Sequence, residues 1–322
     1  MKASNQFPFG DKKLKLAMLG MVDGNGHPYS WSAIFNGYDP AEMAKCPYPV
    51  IPVYLAKEPK DTLQIPNAEV THIWTDNPDD AIHVAKASKI PNIAEKATDV
   101  IGKVDAVIIS TDKGYEHVER CRPFIEAGMP VFIDKPLTDN INDLKQFVEW
   151  ERQGAKIMSS SCMRYSKEYA PYRMSTHDLG ELRFVTITTP KSWERYGIHA
   201  LEGIYPILGP GFVSVRNTGT IERNIVHIKH SSGTDVVVAA ISDMFGSFGV
   251  LQLCGTAGHA EVSFSDTFYS FKAQLMAFVN YLRTGVRPFP FEETVELMKL
   301  VIAGIKSREE GGRKVFLDEI QI

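Results

Sequence analysis

The sequence predicts an α/β chain in two parts: a parallel sheet covered by helices on both faces, then a large, mostly antiparallel, open-faced sheet. Three observations carry this reading. Up to residue 160, short apolar runs alternate with helical patterns, the alternation that produces parallel strands joined by crossover helices. Beyond residue 160, strand-like segments follow one another with few helices between them and with short turns such as Ser231-Ser232-Gly233, as antiparallel strands do. Finally, Val131-Phe132-Ile133-Asp134-Lys135-Pro136 runs three strand-favouring residues into an acid, a base and a proline. A buried parallel strand whose carboxyl end faces a ligand has this composition, and Pro136 would end it.

In chain order, residues 14–19 form an apolar strand that stops at Gly20. Met21-Val22-Asp23-Gly24-Asn25-Gly26-His27-Pro28 follows, and a helix is expected over 28–36, with Pro28 in its first turn and Gly37 closing it. Strand, glycine-rich turn and helix N-terminus together attract an anion, because bare backbone N–H groups and the helix dipole face it. The glycines at 20, 24 and 26 do not follow the G-x-G-x-x-G spacing, and a plain surface turn stays open as a reading. Residues 38–68 carry Pro40, Pro47, Pro49, Pro52, Pro59 and Pro66 with little helical periodicity. They are expected as an insertion over the sheet edge, with a short strand at 50–55.

The next strand, 70–75, ends at Asp76, and Asn77-Pro78-Asp79-Asp80 opens a helix capped by Asn77 or Asp76. An acid at the end of the second strand can hold an adenosine ribose by its hydroxyls and repel a 2′-phosphate. Here it stands well beyond the roughly 20 residues of the simple unit, an excess the insertion explains. Further strands are expected at 104–110, 131–133 and 156–160, with helices over 116–127 and from a cap at Asp139 to Gly154. The second part should hold strands at 182–189, 211–216, 224–230, 235–243, 249–255 and 259–263. Two amphipathic helices end the chain: Phe271, Leu275, Phe278, Val279 and Leu282 share one face of the first, and Val295, Met298, Ile302 and Ile305 one face of the second. Both stripes read as core.

A length of 322 residues suits two domains with a core each. Lys and Arg number 35 against 39 Asp and Glu, a net charge of −4 that gives no support to nucleic-acid or polybasic membrane binding. No apolar run reaches the length needed to span a bilayer. Residues 1–11 lack the apolar core of a signal peptide, so a cytoplasmic location is expected. Cys46, Cys121, Cys162 and Cys254 are scattered and read as free, mostly buried thiols. No group of His, Asp and Cys has a metal-ligand spacing. His227 and His230 lie on an exposed-looking strand and are given no site role.

These residues resemble the Gfo/Idh/MocA family of oxidoreductases over nearly the whole chain. The most specific mark is Asp134-Lys135-Pro136 against the family's Glu-Lys-Pro. His117 through Gly128 into Val131-Phe132 is similar to the helix and strand that lead into that motif. Arg164-Tyr165 resembles the start of the substrate domain, and Gly197-Ile198-His199-Ala200-Leu201 the family's Gly-x-His-x-hydrophobic segment. The stretch from Phe271 through Gly285, Pro288, Ser307 and Gly311 to Val315 follows its closing pattern.

The resemblance implies a Rossmann domain over 1–160, with 38–68 inserted, and a substrate-binding and oligomerisation domain over 161–322. It implies NAD as cofactor, with NADP as the alternative that Asp76 disfavours. The reaction implied is hydride transfer to or from a hydroxyl or ketone carbon of a sugar, polyol or related small molecule. Cofactor contacts are implied for Gly20, Gly24, Asn25, Gly26, Asp76, Ser110, Thr111, His117, Asp134 and Lys135. Substrate contacts are implied for Arg164, Tyr165, Trp193, Arg195, Tyr196 and His199, with Lys135 and His199 catalytic. The chemistry calls for such groups, since alcohol oxidation needs a base for the hydroxyl proton and positive charge at the developing alkoxide. An imidazole titrates near neutral pH and suits the first task. Trp193 and Tyr196 could stack on a sugar ring, while Lys191 and Arg195 could hold a carboxylate or phosphate. A homodimer or homotetramer is implied. One departure bears on mechanism: where the family often has an acid, four residues before the histidine, this chain has Arg195, with Glu194 beside it. Two other readings therefore stay open, a glycosidase that recycles bound NAD and a non-catalytic dinucleotide or sugar sensor.

Overall fold

The computed structural model describes residues 7–59 and 61–322. Strands β1 (Leu14–Leu19), β2 (Ala68–Trp74), β3 (Asn92–Ile93), β4 (Ala106–Ile109), β5 (Val131–Ile133) and β6 (Ile157–Ser159) form one sheet in the order β3-β2-β1-β4-β5-β6. Every pairing in it is parallel. β4, β5 and β6 are buried throughout because helices cover both faces, which is why they read as continuous apolar runs rather than alternating ones. The helices of this half are α1 (His27–Asn36), α2 (Pro40–Met43), α3 (Val50–Leu55), α4 (Pro78–Ala87), α5 (His117–Glu126) and α6 (Ile141–Arg152).

Two expectations need correction here. Residues 50–55 form the helix α3, not a strand. Pro49 stands at its N-cap and Pro52 in its first turn, where a missing N–H costs nothing because no helical partner awaits it. Likewise Pro40 opens α2, whose first N–H groups, from Ala41 and Glu42, donate to Asp39 at 2.8 and 3.1 Å. The cap of α6 is Asn140, which accepts from the Asp143 N–H at 3.0 Å, and not Asp139 one residue before it. At α4 the cap is Asn77, accepting from the Asp79 N–H at 3.2 Å, which leaves Asp76 for other partners.

After a short helix α7 (Ala170–Met174), a second sheet holds β7 (Leu182–Pro190), β8 (Phe212–Asn217), β9 (Arg223–His230), β10 (Asp235–Ile241), β11 (Val250–Gly255), β12 (His259–Ser263) and β13 (Val315–Phe316). Their order is β12-β11-β7-β10-β9-β8-β13, antiparallel everywhere except between β7 and β10. β9 alternates in and out, so its two histidines part company. His230 is buried, its ring nitrogens bonded to Ser232 Oγ (2.8 Å) and the Pro210 carbonyl (3.1 Å), while His227 faces outward against Asp235 at 2.5 Å.

Helices α8 (Ile198–Leu208) and α10 (Phe291–Glu309) share a core with the inner face of this sheet. Helix α9 (Thr267–Thr284) instead returns to the first sheet, where Phe271 and Phe278 pack with Trp31 and Phe132. The second half thus clasps the first, and the segment between β7 and α8 faces the carboxyl ends of β1, β4 and β5. No helix of the described residues is long and apolar enough to cross a membrane.

Candidate active site

The floor of the site is built where β5 stops. Asp134 is fully buried, and its carboxylate accepts from Asn25 Nδ2 (2.9 Å), His27 Nδ1 (2.5 Å) and the Lys135 N–H (2.7 Å). Asn25 Nδ2 also donates to the Ser110 carbonyl at 3.2 Å, and the Ser110 hydroxyl donates to the Gly20 carbonyl at 2.7 Å. Side chains therefore tie the glycine turn to the ends of β4 and β5, so a turn longer than the common one is still held in place.

Several features of the turn fit a dinucleotide. Gly20 has a φ of 90°, and a Cβ there would lie 2.7 Å from Thr111 Cγ2, so only glycine brings the backbone this close. Among the described residues, nothing accepts from the N–H groups of Val22, Asp23, Gly24 and Gly26. The buried hydroxyl of Thr111 has no partner either. Asp76, half-exposed at the end of β2, accepts from the Met21 N–H at 3.3 Å and pairs with Arg120 at 2.9 Å. Free amides suit a pyrophosphate, and an accessible acid at this strand end suits a ribose.

Next to this floor lies a buried charge cluster. Lys135 Nζ is 3.4 Å from the Asp112 carboxylate and 3.4 Å from the Arg195 carbonyl, and it sits 4.5 Å from the centre of the Tyr196 ring. Asp112 also receives Arg195 at 2.6 Å. Burial alone would push the lysine down, but Asp112 and Asp134 outweigh it and raise its pKa, so Lys135 is an ammonium at neutral pH. Burial alone would raise Asp112; the charges of Lys135 and Arg195 override it and hold the carboxyl well below its usual range. A carboxyl depressed in the folded state stabilises the fold fully above its unfolded value of about 4 and loses that contribution as pH falls further. Urea unfolding at stepped pH should therefore show stability dropping below about pH 4, with a shallower slope in Asp112→Asn.

The second half closes over the turn through a π-helical segment, Trp193–Gly197, that runs into α8. Lys191 donates to the Gly24 carbonyl at 3.2 Å and to the Tyr196 hydroxyl at 2.7 Å, and Arg195 donates to the Asp23 carbonyl at 3.3 Å. His199, on the first turn of α8, is buried with Nδ1 2.7 Å from Ser161 Oγ and its ring against Tyr196 and Phe248. Burial, and then the charge of Lys135, keeps its pKa well below the ordinary imidazole value, so the ring is neutral.

Residues 54–161 match the model of the GFO_IDH_MocA oxidoreductase family, described as having an NAD-binding Rossmann fold. Over this segment the chain is similar to that family. A protein of Amycolatopsis mediterranei described as a UDP-kanosamine synthase oxidoreductase subunit is 28% identical over 102 residues, which are 32% of this chain and 28% of that protein. The chain thus matches little more than a quarter of that relative's length. Among solved structures, scyllo-inositol dehydrogenase of Lactobacillus casei with NAD(H) and scyllo-inositol bound superposes with a TM-score of 0.74 at 14% identity, covering 95% of this chain and 100% of that one. Myo-inositol dehydrogenase of Corynebacterium glutamicum gives 0.71 at 18% identity, covering 95% and 99%. At such identities the likeness is one of fold.

Some site residues that the resemblance implies are placed elsewhere. His117 is fully buried with both ring nitrogens at carbonyls, of Leu137 (3.1 Å) and Thr111 (2.8 Å), so it braces two loops. Trp193 is enclosed, donating to the Val301 carbonyl at 2.9 Å, and offers no ring face to a sugar. Arg164 is buried between Glu202 and Glu293, and the hydroxyl of the neighbouring Tyr165 is buried as well. Glu194 pairs with Arg308 and so does not replace the acid missing at 195. That charge is met from the other half of the molecule, by Asp112.

A cavity of about 470 Å³ opens beside the turn, lined by Asn25, Gly26 and His27, by Lys191 and Tyr196, by Phe245, Phe248 and Phe271, and by Tyr48, Ile51 and Tyr54. The last three come from the 38–68 stretch, which is therefore a wall of the pocket. α3 and the residues just before it close on the turn so tightly that a Cβ on Gly26 would meet Tyr48 and Ile51 at 2.6 Å. A larger hollow of about 800 Å³, beside Lys13, Asn67 and Lys89, lies at the opposite, amino ends of β1 and β2 and gathers none of these groups. Sequence reasoning missed Asp112, Tyr48, Tyr54 and His27. Only His27 left a signal, as the residue that ends the glycine turn.

Proposed function

We propose that the chain is an NAD-dependent dehydrogenase or reductase of a cyclic polyol or sugar. In this reading residues 1–160 hold the cofactor, and 161–322 supply the substrate side and the contacts between copies. The single observation that carries it is Lys135: a buried ammonium at the carboxyl end of β5, beside a dinucleotide-type turn and beneath an aromatic ring from the other half. When bound, the nicotinamide accepts or gives the hydride. Lys135 supplies the positive charge that a developing alkoxide needs, and being charged it is not the base. Asp134 and Asn25 hold the turn, Asp76 meets the ribose, and Tyr196 with Phe248 forms apolar surface for the carbon face of a ring.

Polyols are the class favoured because similarly folded proteins were crystallised with inositols, and the partial relative is described by a nucleotide-sugar activity. The outer face of the second sheet, where Phe184, Val213 and Ile225 are exposed, is the surface proposed for assembly into a dimer or tetramer. The test is direct. NADH titrated into the purified protein should be bound with enhanced fluorescence, and myo-inositol, scyllo-inositol and UDP-glucose supplied with NAD⁺ should be screened for NADH formation. Absence of NADH binding at millimolar concentration overturns the reading.

A further inference from the structure

Two histidines border the site, and they differ in what stands behind them. Behind His199 is a hydroxyl. Ser161 Oγ accepts from the Met163 N–H at 3.1 Å and faces His199 Nδ1 at 2.7 Å. When that hydroxyl donates to Nδ1, the proton of the neutral His199 ring is on Nε2, which leaves no lone pair there to take another. Behind His27 is a carboxylate. Asp134, fully buried and acceptor-only when ionised, faces His27 Nδ1 at 2.5 Å and accepts the proton on it, so that in the neutral ring the lone pair is on Nε2.

His27 is also held rigidly. Its N–H donates to Asn25 Oδ1 at 2.9 Å, its ring stacks on Trp31 at 4.3 Å and 18°, and Phe271 abuts it edge-on at 5.1 Å. Nothing among the described residues bonds its Nε2, and the residue lines the cavity together with Tyr196.

We propose that His27, paired with Asp134, is the proton-transfer residue of the dehydrogenase reaction, a carboxylate–histidine dyad carried on the glycine turn instead of on the substrate-side helix. This rests on the dehydrogenase reading above. In oxidation the substrate hydroxyl proton passes to His27 Nε2, and the hydrogen on the same carbon leaves with its electron pair to oxidised nicotinamide. The C–O bond becomes a carbonyl, and the imidazolium so formed is balanced by Asp134, which keeps its hydrogen bond throughout. Reduction runs the same path backwards. Lys135 faces the oxygen as a fixed charge, and the two tasks fall to different residues.

The test has two arms. Long-range ¹H–¹⁵N NMR of the NAD-loaded protein labelled with ¹⁵N-histidine should show, for the ring signal lost in His27→Asn, the Nδ1–H tautomer at neutral pH, and that signal should become a tautomer mixture in Asp134→Asn. An Nε2–H tautomer for His27 overturns the proposal. In the second arm, with the polyol that the wild type oxidises fastest, His27→Asn and His27→Gln should lower kcat by roughly 100-fold while the NADH Kd is unchanged. Undiminished turnover in either folded variant overturns it. Failure of every polyol would tell against the dehydrogenase reading, while the NMR arm would still decide whether the dyad exists.

Discussion

Replacing Lys135 by Met is expected to lower turnover by about 10²–10³-fold while NADH still binds, because the variant removes a charge aimed at the reacting oxygen. Met matches the stem in length and apolar character, so the space beneath Tyr196 stays filled. Asp112 keeps Arg195 as a partner, so the loss of stability should stay near 1–3 kcal/mol, the usual cost of thinning a buried polar cluster. Lys135→Arg should not rescue, since a planar guanidinium does not fit a pocket shaped around an ammonium between Asp112 and the Arg195 carbonyl. Steady-state kinetics, NADH fluorescence and thermal melts on the same preparations separate the three effects. Turnover equal to wild type in Lys135→Met would remove the lysine from the chemistry.

Arg164→Met should cost about 3–5 kcal/mol of stability, the penalty for stripping the partner from a buried charge. Burial pushes the Glu202 carboxyl up, and Arg164 is what opposes this, bonded also to Glu293 at 2.7 Å and stacked 4.0 Å from the Phe289 ring. Without the arginine two acids face each other with one of them fully enclosed. Adding Glu202→Gln should restore a part of the loss, because the enclosed charge is then gone as well. Urea unfolding measures both. If Arg164→Met instead left stability intact and raised KM, the arginine would be a substrate ligand, as the sequence alone implied.

The contrast between Arg164 and Lys135 shows what the sequence disclosed. Lys135 was legible because strand ends in a parallel sheet have a known use, and an apolar run into Asp-Lys-Pro marks one. The two-sheet architecture was legible for a similar reason, since alternation and its abrupt end at residue 160 follow from the periods of helix and strand. Arg164 and Trp193 carry the same residue types a sugar site would use, and nothing local says that Glu202, Glu293 and Val301 will enclose them. The two-residue strands β3 and β13 are too short to leave a pattern. α3 departs from the expected strand because six residues are too few to show helical periodicity, and prolines at a helix start are harmless. His27 and Asp134 lie 107 positions apart, and their meeting depends on how the long turn folds back across β4.

The wall built from residues 38–68 belongs to neither sheet. Ile51 and Tyr54 reach the cavity from α3 and Tyr48 from the connection before it, and no strand register depends on them. This side of the cavity meets the frame of Asp134 through the glycine turn, where Tyr48 and Ile51 close on Gly26. Substitutions there would reshape the cavity without altering a strand pairing of the parallel sheet.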